Sequence, residues 1–232
     1  MVDFTTIGFP GDLLRISSGS FRLRPFQTSP GSIYSGFVRA YGSMQMRWTA
    51  ECEMAGFAGA DNNAWDAFIA RLEGQVNLFE VSDPLHDLPR GAGAGYAPDN
   101  TAVTITGVSI PGVSIVEGAT SCLVKTAAAR YARTIIMKGL AADEVVFRGG
   151  DYFGLDGNLY MVSGDVTADE NGDARVPFKW RLWKPAAVDD VVQLLNPTAR
   201  FQLASADQGT LRRTAPDFGS AGLSLIEVPY TS

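Results

Sequence analysis

Met44-Gln45-Met46-Arg47-Trp48-Thr49-Ala50-Glu51-Cys52-Glu53-Met54 is the stretch on which the fold turns. Met44, Met46, Trp48, Ala50, Cys52 and Met54 alternate with Gln45, Arg47, Thr49, Glu51 and Glu53. Side chains of a β-strand point to opposite faces in turn, so a period of two gives one apolar and one polar face, as in a half-buried antiparallel strand. The run is longer than the usual strand of about 5–6 residues, which predicts a barrel or a ribbon extending beyond one. The polar face carries both signs of charge, so it can pair with a second copy without net repulsion. Upstream, Phe21, Leu23 and Pro25 alternate with Arg22 and Arg24 and predict a shorter strand of the same kind.

Downstream the period changes. Trp65, Phe68, Ile69 and Leu72 fall at i, i+3, i+4 and i+7, which makes one apolar stripe on a helix. Asp61, Asn62 or Asn63 can cap its start, and Gly74 supplies a left-handed stop. The stripe is expected to lie buried against a sheet. Val76–Val81 then reads as a strand that ends at Asp83-Pro84. The Gly-rich run from Pro89 to Gly95 lacks the spacing and the trailing Lys-Ser/Thr of a phosphate-binding loop, so it reads as a flexible connection and a boundary between units. Beyond it, strands are expected at Val103–Thr106, Ser121–Thr126, Thr134–Lys138, Tyr160–Val162, Ala174–Leu182, Arg200–Ala204 and Leu223–Val228. Asp156-Gly157-Asn158 and Asn171-Gly172 are hairpin signals, because primed turns need positive φ. Short strands with a single helix predict a mainly β chain of barrels or sandwiches rather than an α/β enzyme scaffold.

The bulk numbers narrow the function. The chain has 232 residues, 46% apolar and 19% charged, a globular composition long enough for one large β domain or two small ones. Nineteen basic residues against 25 acidic ones give a formal charge of −6 with no basic cluster, which argues against a nucleic-acid reader. The N-terminal MVDFTTIGFPGDLLR has no basic or apolar region of a secretory signal, and no apolar run is long enough for a membrane helix. A protein made in the cytoplasm, with no membrane partner, is expected.

Chemistry finds little to stand on. His86 is the sole histidine and lies in the proline-punctuated segment Asp83–Pro89, which reads as an ordinary loop. Cys52 and Cys122 sit in alternating apolar stretches and read as buried thiols. No Gly-x-Ser-x-Gly elbow is present, and the count of His and Cys leaves no room for a site rich in them. Asp169-Glu170-Asn171-Gly172-Asp173 resembles half of a calcium loop, but Ala174 stands where Gly is needed and Trp180 where Glu is needed. It reads as a hairpin tip. Asp151, Asp156 and Asp165 are the acids to inspect for paired-carboxylate hydrolysis, each also explained by a strand end or turn. Trp48, Trp65 and Trp180 read as core, and Trp183 as the tryptophan free to be exposed. The expectation is no catalytic residue, no cofactor-binding residue and no metal ligand, hence no enzyme and no cofactor.

Three stretches carry a resemblance. Trp65-Asp66-Ala67-Phe68-Ile69-Ala70-Arg71-Leu72-Glu73-Gly74-Gln75-Val76-Asn77-Leu78-Phe79, closing at Asp83-Pro84, resembles the distal tail or minor tail proteins of siphophages. So do Gly149–Val162 with Asp165–Asp169, and the closing strands around Asn196-Pro197, Ala199–Leu203 and Gly222–Val228. The resemblance implies a fold related to the tail tube: a β-sandwich or split barrel with one flanking helix, built from residues 1–89 and 188–232. It also implies a second small β-barrel or sandwich, residues 90–187, inserted into it. The implied role is a homo-oligomeric ring, hexameric in the family, that joins the tail tube protein to the baseplate hub or other tail-tip proteins of the virion. Some relatives add a galectin-like sugar-binding domain at the C-terminus, which is not expected here because the chain stops after its last strand. A carbohydrate-binding module would need exposed aromatics, and a tail-associated cell-wall hydrolase would need a carboxylate pair. Those are the two alternatives from other classes.

Overall fold

The fold is described from a computed structural model, which covers residues 6–8, 16–28, 41–83, 86, 88–91, 121–214 and 218–228. The strand expected at Val103–Thr106 and the Gly-rich run beyond Gly91 lie outside these residues. In chain order the elements are β1 (Thr6–Ile7), β2 (Ile16–Thr28), β3 (Tyr41–Ala58), α1 (Ala60–Leu72) and β4 (Leu78–Ser82). There follow β5 (Ser121–Thr126), β6 (Thr134–Lys138), β7 (Val145–Phe147), β8 (Tyr152–Leu155), β9 (Asn158–Val162) and β10 (Val166–Thr167). The last five are β11 (Ala174–Lys179), β12 (Val191–Gln193), β13 (Thr198–Leu203), β14 (Arg212–Thr214) and β15 (Phe218–Glu227). Over the described residues the protein is mainly β with one helix, as its alternating patterns predict.

Two compact units share the chain: Met1–Val81 with Arg200–Ser232, and Ser82–Ala199. The inner unit begins earlier and ends later than the expected span of 90–187. The reason is local: His86 stacks on Tyr152 of the inner unit, and Val192 of β12 is wholly inside its core.

The outer unit is a seven-stranded mixed sheet in the order β1-β4-β13-β15-β3-β2, with β14 also on β15. The alternation read in Met44–Met54 extends through an 18-residue strand, and Trp48, Ala50, Cys52 and Met54 are buried on its apolar face. β2 runs antiparallel beside it at the edge of the sheet, with Leu23 opposite Trp48 and Phe21 opposite Ala50. The register slips between Pro25 and Gln27, where a residue without an N–H sits at an edge that tolerates it.

Helix α1 packs through an aromatic chain. Trp65 stacks near Phe57 at 5.3 Å and Phe68 at 5.8 Å, and Phe68 meets Phe79 of β4 edge-on at 5.4 Å. Trp65, Phe68 and Leu72 are buried, but Ile69 is only half-buried. The segment between β13 and β14 explains this: a Cβ on Gly209 would stand 2.4 Å from Ile69 Cδ1, so this loop rather than the sheet covers Ile69. The same loop accepts the Trp65 Nε1–H at Gly209 O, 2.7 Å. The helix also begins earlier than predicted. Gly59, with φ 54°, precedes it and no side chain caps it, so Asp61 is placed in the first turn, where its charge favours the helix dipole. At the far end Glu73 takes the left-handed conformation with Gly74 after it.

The inner unit contains a closed six-stranded barrel in the order β11-β6-β5-β12-β8-β9. Phe153, Tyr160 and Phe178 form an aromatic triangle inside it, with ring centres 5.2–5.5 Å apart. Asp156 (φ 51°) and Gly157 (φ 70°) make the two-residue β8–β9 turn that their sequence predicts. Asn171-Gly172 does not join two paired strands. It closes on itself, with the Gly172 N–H donating to Asp169 O, while β10 pairs with β7 and β11 with β6 and β9. The expected strand to Leu182 stops at Lys179, because Trp180 turns the chain at φ 75°.

Candidate functional site

Each residue considered for chemistry has a place. His86 sets its Nδ1 2.8 Å from Oδ2 of the buried Asp83 and stacks on Tyr152 at 4.2 Å. Burial, together with the nearby Asp83 charge, pushes the Tyr152 phenol up to about 12. A histidine with a carboxylate on one nitrogen and a tyrosine ring over its face is oriented, but no serine or thiol nucleophile is bonded to it in the described hydrogen bonds. Cys52 and Cys122 are buried and form no disulfide, and burial pushes the Cys122 thiol up to about 12, away from thiolate reactivity.

The three inspected aspartates do not share a role. Asp151 is buried; its Oδ2 accepts N–H bonds from Arg148 (2.6 Å) and Arg90 (2.9 Å), and its Oδ1 accepts Arg90 Nε (2.7 Å). Asp165 is exposed and accepts Gly149 N–H and the Arg148 guanidinium, of which the backbone bond does most to hold its carboxyl below the usual range. Both therefore tie down the segment around Arg90 and Arg148. Asp156 belongs elsewhere, at the β8–β9 turn, with Lys184 Nζ at 2.8 Å. The arrangement is a set of loop clamps, not a carboxylate pair across a cleft.

The Asp169–Asp173 tip is also closed by its own groups. Oδ1 of Asp169 accepts the Asn171 and Asp173 N–H groups at 2.9 Å, and Lys125 pairs with Asp173. No cluster of His, Cys, Asp and Glu among the described residues can hold a metal ion. The two N–H bonds, Asp173's first, lower the Asp169 carboxyl. A carboxyl lowered on folding contributes stability above its unfolded range and loses it as pH falls through its folded value. The Asn171 and Asp173 amide resonances should therefore move together on acidification, at a pH below the ordinary aspartate range. Movement at or above that range would show that Asp169 does not hold the tip.

The tryptophans depart from expectation at two positions. Trp48 and Trp65 are fully buried, but Trp180 is half-buried with Arg181 over its ring at 5.9 Å. Trp183, expected to be free, is half-buried against the barrel core and donates its backbone N–H to Tyr160 Oη at 3.2 Å.

Two further features carry polar groups that these loop clamps do not use. One is the ribbon of β2 and β3. On its polar face Arg22, Arg24 and Arg47 gather toward one end, with Arg24 directly opposite Arg47, while Glu51 and Glu53 lie toward the other. Arg24 reaches Glu51 at 3.6 Å and Ser18 Oγ donates to Glu53 at 3.1 Å. The alternation of charge is legible in the sequence; its segregation along the ribbon emerges only with the register. The other is a groove of about 220 Å³ on the barrel, lined by Leu155, Asp156, Asn158, Tyr160, Lys184, Pro185, Asp190 and Val191. Nothing in the sequence marks Asn158, Lys184 and Asp190 as a group, because they come from three separate segments. The chain matches no protein-family model and no curated protein.

Proposed function

We propose that this chain is a structural subunit of a bacteriophage tail, a distal tail ring protein that joins the tail tube to the baseplate hub. The ribbon supports this reading most. β2 is a 13-residue strand at the edge of the sheet, and an edge presents backbone donors and acceptors to a further strand. The segregated charges beside it suit a neighbour whose acidic end meets this copy's basic end, the heterologous contact from which rings close. The outer sheet with its flanking helix is the tube-like element of this proposal, and the closed barrel is its inserted one. The partners are further copies of the chain, the tail tube protein and tail-tip proteins, without catalysis or a cofactor. A net charge of −6 also suits a channel through which DNA passes without sticking.

Imaging of the purified protein for annular particles tests the assembly directly. A sharper test reverses one charge. Arg47→Glu places an acid among the basic end of the ribbon, and it should weaken ring closure, more so at low salt, where screening is least. Mass measurement of both proteins across ionic strength reads the effect. Identical rings at every salt concentration would remove the ribbon from the contact.

A further inference from the structure

We propose that the groove beside the β8–β9 turn is a docking pocket for a basic side chain, aliphatic in its stem and cationic at its head, presented by a partner protein. Asn158 carries the argument. It lines the groove, is only 2% exposed, and spends its Nδ2 on the Asp156 carbonyl at 3.0 Å, while its Oδ1 accepts no hydrogen bond. A buried acceptor left without a donor is unfavourable, so the site is short of a donor.

The rest of the lining says which donor. Asp156 and Asp190 face one cation, Lys184, and that ammonium is already 2.8 Å from Asp156. Asp190 takes the Ala187 N–H at 2.7 Å, and the nearby Lys138 pairs with Asp189 instead. The groove is thus one negative charge in excess, which disfavours an anion and favours a cation. Leu155, Pro185 and Val191 supply the apolar wall, and Val191 is 60% exposed on the barrel surface. An alkyl stem covering Val191 with its charged head toward Asp190 matches both halves. A wider hollow of about 480 Å³ shares Leu155, Asp156 and Val191, and the narrower part of about 220 Å³, where Asn158, Lys184 and Asp190 meet, is the part sized for one side chain.

The inference does not depend on ring formation, and its test uses the purified chain. Amide resonances of the isotope-labelled protein are followed while N-acetyl-lysine amide is added, with N-acetyl-norleucine amide as the uncharged probe and methyl glucoside as the hydroxyl-rich one. The lysine probe should shift the amides around Leu155–Asn158 and Asp190–Val191. It should bind roughly tenfold or more tightly than norleucine, the equivalent of one charge-assisted hydrogen bond. Asp190→Asn, which keeps an acceptor for the Ala187 N–H, should remove most of that difference while the other resonances stay in place. Asn158→Ala should weaken binding as well; should it disturb the turn, the Asp190 variant decides alone. Equal response to lysine and norleucine would overturn the proposal. So would a response to the glucoside with none to lysine, or no response to any probe, which would leave the groove to water.

Discussion

Replacing Asp151 with alanine should lower the stability of the inner unit by about 2–4 kcal/mol, the cost of two backbone N–H groups left without an acceptor at roughly 1–2 kcal/mol each. The carboxylate is 1% exposed and receives both the Arg90 and the Arg148 N–H. The Arg90 guanidinium adds less, because it is 59% exposed and can turn to solvent. What the change releases is the 88–91 segment. It lies so close to β7 that a Cβ on Gly91 would stand 2.3 Å from the Val146 carbonyl carbon. Asp151→Asn keeps one acceptor oxygen and should recover part of the loss. A urea titration read from barrel amide resonances measures all three proteins. Coincident midpoints would show that the segment is held by something other than this carboxylate.

Phe68→Ala should cost about 3–5 kcal/mol in the outer unit. Phe68 is the third of the four rings Phe57, Trp65, Phe68 and Phe79, which tie α1 to β3 and β4. Truncation leaves a void between Trp65 and Phe79 that neither can fill, since Trp65 is held through its indole N–H at Gly209. Ile69→Ala makes the matched comparison. Ile69 sits beneath a loop and is half-exposed, so its loss should be smaller. Equal losses at the two positions would mean that the helix does not pack through the face assigned to it.

How far the sequence discloses this molecule depends on the range of the interaction involved. Strand alternation and turn chemistry are local, so β3, the strands at Ser121–Thr126 and Thr134–Lys138, and the Asp156-Gly157 turn are all legible from neighbouring residues. β7, β10 and β12 are two or three residues long and owe their existence to partners far away in sequence, which no local period reveals. Trp180 and Trp183 fail for a related reason. The alternation that starts at Ala174 puts Trp180 on the apolar face and leaves Trp183 beyond its end, beside Lys184-Pro185, but the left-handed turn at Trp180 resets it, so that Trp183 rather than Trp180 packs against the barrel core. The groove is the least legible feature. Asn158, Lys184 and Asp190 are ordinary polar residues near turns until barrel closure brings β9, the 184–190 segment and β12 around one hollow.

The way the chain leaves and re-enters the outer sheet has a consequence for how such a protein changes over generations. β4 and β13, the strands on either side of the insertion, are immediate neighbours in that sheet. Glu80 meets Arg200 at 3.7 Å, and Gln75 donates to Leu203 and Ala204, so residue numbers fall along one segment as they rise along the other. The exit near Ser82 and the return near Thr198 therefore lie side by side. Because loop-closure entropy grows only slowly with length, what spans that gap can be long or short at little difference in cost. The barrel, closed on its own strands, takes no hydrogen bond of the sheet's order with it. A recombination event at these two points can thus exchange one inserted module for another and leave the host sheet foldable, so that the surface carried by the barrel diversifies while the sheet and its ribbon edge stay fixed.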